Sequence, residues 1–231
     1  DLRPRRETVS DVLIVGSGYG GGMAAAELAG PEVVEADGTR RPARICVLER
    51  GKEYAPGMFA SSLQELPPHV RVRRANQGET VGPLDALLDV RLGPDLCPLT
   101  GNGRGGGPPI TAGVMATPKL HDCRRRPAAL ARELDEPFFA AVRRQLGATD
   151  RLAQDHPQAR DLAKTRGLRE LAEGAGKGAQ FRPAAITVQV AADAGDPDVP
   201  PCTLCGDCMT GCNAGAEKSL GTTLLRQAWL Q

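Results

Sequence analysis

The sequence predicts an α/β fold in which parallel strands are joined by a helix. A short apolar run, Val12–Val15, passes through closely spaced glycines into an alanine-rich, helix-forming segment. A second apolar run, Ile45–Leu48, ends in Glu49-Arg50-Gly51. Short apolar runs bounded by turn residues are typical of buried strands. A strand–helix–strand order favours a parallel sheet with a helix on its face.

Three glycines follow the first strand in the spacing G-x-G-x-x-G, namely Gly16, Gly18 and Gly21. The first allows a sharp turn, the second lets backbone approach a pyrophosphate, and the third allows tight packing of helix on strand. The helix continues through Met23–Leu28 and stops at Gly30. Its N-terminal N–H groups and the positive end of its dipole would face the phosphates. This strand–turn–helix context predicts a dinucleotide site.

Glu49 stands at the end of the second strand, where a carboxylate accepts hydrogen bonds from a ribose 2′-OH. It lies farther from the glycines than the usual roughly 20 residues. We attribute the excess to Pro31–Pro42, which the sequence predicts to be a surface loop. A carboxylate at this point would repel a 2′-phosphate. The alternative is an ordinary strand–loop–helix whose glycines are incidental.

Composition narrows the classes of protein that the chain can belong to. It has 231 residues, a formal net charge of +1 and 41% hydrophobic residues. Nothing in this balance indicates a nucleic-acid partner. No run approaches the roughly 18 apolar residues of a membrane span. Four of the seven cysteines are clustered, which favours metal or redox chemistry over a disulfide scaffold.

The two ends of the sequence indicate a fragment. The chain begins at Asp1 rather than Met, and Leu220–Gln231 looks helical without a stop signal. No secretion signal is visible, which favours a cytoplasmic location, although an N-terminus that we expect to be truncated would hide one.

A second glycine-rich stretch spans Gly101–Pro118. Such backbone is useful where positive φ or very close approach is required. Because the apolar run Ile110–Met115 follows at once, we favour a loop that contacts a ligand over a flexible linker. Before it, Lys52–Pro68 is predicted to be a loop, and His69–Leu92 to hold short strands or a hairpin.

The following region is predicted to be mainly helical. Basic residues at His121–Pro127 indicate a solvated face rather than a nucleic-acid patch. The predicted elements are helices at Ala128–Leu134, Pro137–Leu146 and Asp161–Ala175, a strand at Ala184–Val190 and a loop at Asp193–Pro201. The predicted buried positions on the last two helices are Phe138, Ala141, Val142, Leu146, Leu162, Leu168 and Leu171.

The cysteine run, Cys202–Cys212, has the spacing C-x2-C-x2-C-x3-C through Cys202, Cys205, Cys208 and Cys212. This is the ferredoxin spacing, in which a tight loop wraps thiolates around a 4Fe–4S cluster. Zinc sites usually pair two C-x2-C arms across a longer spacer. In two-cluster ferredoxins the fourth cysteine binds the other cluster and proline follows it, but Asn213 follows here.

Several outcomes therefore stay open for this run. Cys212 completes one cluster, or a remote thiol such as Cys46, Cys97 or Cys123 does, or the thiols hold no iron. Structural or free thiols and a zinc ion are the two alternatives to a cluster.

Taken together, these motifs resemble those of the glucose–methanol–choline (GMC) oxidoreductases, and within them the bacterial cholesterol-oxidase-like branch. The similarity spans most of the chain, in the family's order. It is carried by Val12–Ala29, Ile45–Gly51, Gly101–Pro118, Leu162–Gly176 and Cys202–Leu220. The first of these motifs is shared by many flavoproteins. The second glycine stretch and the cysteine run together are more specific.

The resemblance implies a Rossmann-like FAD-binding fold, a parallel sheet with helices, plus part of a discontinuous substrate domain. It implies an FAD-binding part over residues 1–126, a helical or substrate-domain segment over 127–200, and a cysteine-rich return to the FAD-binding domain over 201–231. It places these residues around FAD: Gly16, Ser17, Gly18, Tyr19, Gly20, Gly21, Glu49, Arg50, Gly103, Gly105, Gly106, Gly107, Thr111, Gly113 and Val114.

The implied activity is oxidation of a CH–OH group, in an alcohol or a 3-hydroxysteroid-like substrate, by hydride transfer to flavin. Oxygen or a redox carrier would accept the electrons. The family's catalytic His lies near the C-terminus, and none of His69, His121 and His156 matches it. Catalytic residues are therefore expected beyond residue 231, and this chain alone is expected to be inactive.

The chain also departs from the family's pattern. Pro108 and Thr111 stand where members usually have Ser and Asn, and Pro108-Pro109 lack backbone donors. Two further hypotheses follow. One is an iron–sulfur flavin dehydrogenase that relays electrons to a carrier. The other is a truncated, non-catalytic homologue that binds nucleotide.

Overall fold

The computed structural model describes residues 9–74, 78–118, 134, 136–190 and 197–230. It divides into two compact units. The first unit comprises Asp1–Ile110 and Ser219–Gln231, and the second comprises Thr111–Lys218. These limits differ from the predicted boundaries at residues 126 and 200. The cysteine run lies in the second unit.

The first unit contains the predicted parallel strand pair. Strand β1 (Val12–Val15) pairs in parallel with β4 (Ile45–Leu48), with Val12 opposite Ile45. Helix α1 (Tyr19–Leu28) makes the connection, and a C-terminal helix α5 (Leu224–Leu230) packs against it. Small residues on α1, including Ala25 and Ala26, are buried. This arrangement is compatible with the predicted α/β class.

The predicted loop over Pro31–Pro42 is wrong, because this segment forms a hairpin. Strands β2 (Glu32–Val34) and β3 (Arg40–Pro42) pair antiparallel. The turn carries Asp37-Gly38, and Gly38 has a φ of +86°. Asp-Gly between short extended runs is a strong hairpin signal, because the turn requires left-handed backbone. The Asp37 carboxylate accepts a hydrogen bond from the Thr39 N–H at 2.9 Å.

A mixed four-stranded sheet completes the first unit. Its strands are β5 (Val70–Arg74), β6 (Thr80–Val81), β7 (Leu88–Leu92) and β8 (Leu99–Gly101), in the order β6-β5-β7-β8. Strands β5 and β7 are parallel, and the other pairs are antiparallel. The short strands predicted within His69–Leu92 are thus confirmed. The buried cluster Phe59, Leu87, Leu88 and Ile110 forms the core beside this sheet.

The second unit is built from short helices and irregular chain. Helix α2 spans Glu136–Gln145, α3 spans Leu152–Asp155 and α4 spans Ala163–Gly174. Several predicted buried positions are exposed: Phe138 (45%), Leu168 (60%), Leu171 (71%) and Ala141. Among the described residues α4 packs chiefly against the turn Gly178–Gln180 that follows it, so its apolar face stays open. Leu146 is buried as predicted.

Two other predicted elements differ from those observed. The strand predicted over Ala184–Val190 is extended chain with isolated bridges, because its partners Val114, Thr149 and Glu217 come from three separate segments. The apolar run Ile110–Met115 is a turn, in which Ala112 and Gly113 have positive φ. The helix predicted at Ala128–Leu134 lies outside the described residues except for its last residue. Of Asp193–Pro201, only residues 197–201 are described, and they are irregular.

No helix in the described part of the chain has the length and apolar character needed to cross a membrane.

Candidate functional site

The first glycine motif forms a tight turn at the end of β1. The Gly16 N–H donates to the Leu48 carbonyl on the parallel partner strand at 2.7 Å. A Cβ at Gly21 would overlap the Gly16 carbonyl, so only glycine permits this approach of helix to turn. Helix α1 begins at Tyr19 with Gly18 as its N-cap, and no side chain in the described part of the chain caps it. The end of the helix is thus open to an anion.

The structure brings the second glycine stretch onto the first. A Cβ at Gly106 would lie 2.7 Å from the Gly18 Cα, and Gly106 has a φ of +68°. The Gly105 N–H donates to Ser17 Oγ at 2.9 Å, across 88 residues of sequence. We call the two segments Gly16–Gly21 and Gly103–Gly107 the glycine cradle. Both of its walls are backbone without Cβ at the point of contact.

Glu49 is joined to the cradle by hydrogen bonds from Ser17. Its Oε2 accepts hydrogen bonds from the Ser17 N–H at 3.1 Å and from Ser17 Oγ at 2.6 Å, and its Oε1 accepts the Gly51 N–H at 2.9 Å. Burial raises the pKa of Glu49, but these hydrogen bonds from Gly51 and Ser17 outweigh it, so the pKa lies below its ordinary value. The carboxylate is ionised at neutral pH. The backbone N–H of Arg50 also acts on this carboxylate and lowers its pKa.

The Arg50 side chain belongs to a hydrogen-bond network at Asn102, the residue directly before the second glycine segment. Its guanidinium donates to Asn102 Oδ1 at 2.7 Å and to Asp89 Oδ2 at 3.0 Å. Arg73 pairs with the same buried carboxylate. The Asn102 side chain donates to the carbonyls of Leu84 and Ala86 at 3.2 and 2.9 Å. Arg50 is therefore placed to hold the chain that enters the cradle.

A cleft of about 690 Å³ opens beside the cradle within the first unit. Ser17, Glu49 and Gly51 line its polar end, together with Glu53 and Arg104. The remaining lining is mostly apolar and comes from α1, β4 and α5: Ala25, Ala29, Ile45, Val47, Leu225, Ala228 and Trp229. Its polar lining includes two of the residues around which FAD was predicted to lie, Ser17 and Glu49.

Three of the predicted FAD contacts belong to the second unit. Thr111, Gly113 and Val114 follow the cradle in sequence but form a turn rather than the expected strand. Gly113 accepts the Thr187 N–H at 2.8 Å through its carbonyl, and Val114 is exposed.

All four cysteines of the run line one cavity of about 220 Å³ in the second unit. No group of three His, Cys, Asp or Glu side chains in the described ranges converges as a single metal ion requires. Burial raises the pKa of Cys202 and of Cys208, and the neighbouring Cys212 thiol raises each further. Of the remote thiols considered above, Cys46 and Cys97 belong to the first unit, and Cys123 lies outside the described residues.

Sequence reasoning missed three polar residues that the fold buries. Asp89 and Asn102 support the cradle, and Glu217 lines the cysteine cavity with 8% of its surface exposed. Burial raises the pKa of Glu217 to about 7, and its Oε1 has no hydrogen-bond partner among the described residues. The sequence signal for the burial of Asp89 is its place inside an apolar run, Leu87-Leu88-Asp89-Val90.

No protein-family model matches the chain. The chain is 25% identical over 235 aligned positions to a cholesterol oxidase of Acinetobacter baumannii. The alignment covers 93% of this chain and 37% of that protein, so the chain spans little more than a third of the relative's length. The similarity is distant and extends over both compact units.

Proposed function

We propose that the first unit binds the adenine dinucleotide part of FAD, in a protein that oxidises CH–OH groups of alcohols or 3-hydroxysteroid-like molecules. The single observation that carries the proposal is the contact between the two glycine segments at Gly18 and Gly106. Two backbone walls without Cβ, an uncapped helix N-terminus and an ionised Glu49 are the features that a pyrophosphate with its ribose requires.

Each group of the site has a physical task in this proposal. The N–H groups at the start of α1 would hold the pyrophosphate. Glu49 would accept a hydrogen bond from a ribose hydroxyl, and its charge would repel a 2′-phosphate. Ser17 links that carboxylate to the Gly105 N–H, so it would fix the distance between the two walls. FAD, when bound, supplies the hydride-accepting ring.

The lack of backbone N–H groups at Pro108 and Pro109 is compatible with this proposal. Both prolines lie in a buried 3-10 turn directly after the cradle, and the Ile110 N–H closes that turn on the Gly107 carbonyl at 2.9 Å. The first residues of a helical turn have no intrahelical acceptor for their N–H groups. Proline is therefore tolerated at this point.

A matched pair of glycine variants tests the site. Gly106 and Gly38 both have positive φ, so alanine is strained at each, but only at Gly106 would the new Cβ meet the opposite wall. With FAD titrated by its fluorescence, we expect Gly106→Ala to weaken binding about tenfold or more, which is 1.4 kcal/mol or more. Gly38→Ala should bind as the parent does.

The outcome that contradicts this assignment is equal FAD affinity in both variants, with circular dichroism showing both folded. Competition with ADP, FMN and 2′-phospho-ADP adds a test of Glu49. ADP should compete, whereas FMN and 2′-phospho-ADP should not. Glu49→Gln should narrow the preference for ADP over its 2′-phosphate, and the exposed-residue control Glu27→Gln should not.

The reaction itself is tested separately from FAD binding. Flavin-loaded protein, kept without oxygen, should lose its visible flavin absorption when a hydroxysteroid or a simple alcohol is added. A flavin that stays oxidised with every alcohol would refute the reaction while leaving FAD binding intact. Regeneration by oxygen would indicate an oxidase, and regeneration only by an artificial carrier would indicate a dehydrogenase.

A second candidate function is the iron–sulfur flavin dehydrogenase, in which the cysteine run passes electrons to a carrier. The observation that favours it is that all four thiols of the run line one cavity.

A further inference from the structure

Glu217 is a buried carboxyl on the wall of the cysteine cavity. Only 8% of its surface is exposed. Its backbone is fixed against a neighbouring extended segment, because Val188 and Glu217 form an isolated bridge and the next N–H, that of Lys218, donates to the Thr187 carbonyl at 2.9 Å. The main chain thus holds this carboxyl at the cavity wall.

One oxygen of the carboxyl, Glu217 Oε1, is buried and has no hydrogen-bond partner among the described residues. The Thr187 hydroxyl, which like Oε1 lies beside Gly113, is already used, because it donates to the Gly113 carbonyl at 3.2 Å. The Lys218 ammonium donates to the Gly147 carbonyl at 3.4 Å. The terminal torsion of a glutamate is soft, so either oxygen can face the cavity. Because a buried polar group without a partner is destabilising, a ligand that supplies the missing hydrogen bond would be retained here.

The rest of the cavity wall is suited to a hydrocarbon. Among the described residues that line it, Glu217 and Thr203 are the polar side chains other than the thiols. Buried thiols behave as small apolar groups, so the four cysteines add to this surface. The aliphatic part of the lining is formed mainly by Leu152, Leu162, Ile186 and Val188.

Two lining residues hold backbone that side chains rarely adopt. Among the described residues the non-glycine positions with positive φ are Ala112 (+55°) and Leu204 (+59°), and both line this cavity. Such conformations persist only where surrounding contacts impose them, and they cluster where a ligand is held. The Leu204 N–H donates to Cys202 Sγ at 3.4 Å, which fixes the loop at this point.

The size of the cavity limits its occupant. Its volume is about 220 Å³. An apolar cavity of about 150 Å³ holds one benzene molecule, and sites for drug-sized ligands begin at roughly 300 Å³. The cavity therefore has room for one ring with a short substituent and not for the fused rings of a steroid. An ionic ligand is disfavoured, because an apolar wall does not replace its hydration.

We propose that the cysteine cavity binds a small uncharged molecule of one ring that carries a hydroxyl group, with the ring on the apolar wall and the hydroxyl hydrogen-bonded to Glu217. A hydroxyl and a protonated carboxyl both donate and accept, so each satisfies the other. This site belongs to the second unit and does not depend on FAD binding by the first. Iron held by the cysteine run would compete with the ligand for the same space.

The test is made on the reduced full chain at about pH 6, where burial keeps Glu217 protonated, with its iron and zinc contents measured. Phenol is the probe, and toluene, with a methyl group in place of the hydroxyl, is its matched control. Phenol has no hydrogen on its C–OH carbon, so it cannot pass a hydride to flavin. Calorimetric titration should show tighter binding of phenol than of toluene. Glu217→Leu should weaken phenol binding about fivefold or more and change toluene binding by less than about twofold, because one hydrogen bond is lost.

Two further variants and a thiol assay locate the site. Glu217→Gln should keep the preference for phenol, because an amide also donates and accepts. Glu170→Leu, on the exposed surface of α4, is the matched control and should bind both compounds as the parent does. Phenol should slow the alkylation of Cys202 and Cys208 by iodoacetamide and leave that of the exposed Cys97, in the first unit, unchanged.

No saturable binding of phenol up to about 10 mM would overturn the proposal. Equal phenol affinity in Glu217→Leu and Glu170→Leu would do the same, as would thiols that phenol does not protect. Iron at the cysteine run that excludes phenol would overturn it in favour of the second candidate function. Circular dichroism checks folding, and if Glu217→Leu does not fold, thiol protection and the preference of the parent and Glu217→Gln for phenol decide the outcome. Gly106→Ala should weaken FAD binding and bind phenol as the parent does, so the two proposals fail separately.

Discussion

Glu217→Gln is the change whose energetic effect the structure determines best. The carboxyl is buried in the second unit and its pKa is about 7, against an ordinary value of 4.5, because burial penalises the charged form. The folded state therefore binds this proton more tightly than the unfolded state does. Stability that depends on the proton is present below about pH 4.5 and is lost as the pH rises toward about 7.

The size of the effect follows from the difference in pKa. A difference of about 2.5 units at 1.36 kcal/mol per unit gives about 3 kcal/mol of unfolding free energy. Glutamine has the same shape and does not titrate. Glu217→Gln should therefore match the parent near pH 5 and exceed it by up to about 3 kcal/mol near pH 7.5.

The assay is urea unfolding of the reduced chain, with chelator present so that the thiols hold no metal, followed by circular dichroism from about pH 5 to about pH 7.5. Glu170→Gln, on the exposed surface of α4, is the matched control and should leave the pH profile unchanged. The reasoning is refuted if the parent is equally stable at both ends of this range, or if Glu217→Gln loses stability across it as the parent does.

Two further predictions concern the first unit. Ser17→Ala removes the acceptor of the Gly105 N–H and a donor to Glu49, so it should cost about 1–3 kcal/mol in urea unfolding and weaken FAD binding, with exposed Ser62→Ala as control. Asp89→Asn should flatten the loss of stability in acid, measured as melting temperature against pH. Hydrogen bonds, chiefly from Arg73, lower the pKa of Asp89, so the stability that its charge contributes is present above the ordinary pKa and disappears below it. An acid profile identical to the parent's would contradict this.

The parts of the fold that could be predicted are those whose physical requirement leaves a local trace. Gly21 must lack a Cβ because the Gly16 carbonyl occupies its place, and that requirement is visible as a glycine at a fixed spacing. Strands β1 and β4 are short apolar runs, so they too could be identified. The hairpin was not predicted, although Asp37-Gly38 indicates one. Polar composition favours a loop here, whereas the turn dipeptide between Val34 and Arg40 favours the hairpin and is the better signal.

What could not be predicted depends on chain segments that meet across long distances in sequence. Ser17 and Gly105 are 88 residues apart, and nothing local says that one accepts a hydrogen bond from the other. Leu168 and Leu171 have the spacing of a buried helix face but are exposed, because periodicity indicates which face is apolar and not whether anything covers it. Glu217 stands beside Lys218 in a pair of charged residues that is typical of a surface, yet it lines the cysteine cavity with 8% of its surface exposed.

The glycine cradle and the cysteine run depend on different parts of the chain, backbone in one and side chains in the other. Their sequence motifs therefore differ in how well they predict a site. In the glycine cradle the backbone itself would be the recognition surface, so its residues are glycines whose positions report the geometry directly. In the cysteine run the side chains would be the ligands, and their spacing is informative only if the loop between them curves. Leu204 and Ala112 provide that information, because non-glycine residues are held at positive φ only where surrounding contacts impose it. The strained backbone is therefore the observation that links cysteine spacing to a built cavity, and it could not be obtained from the sequence.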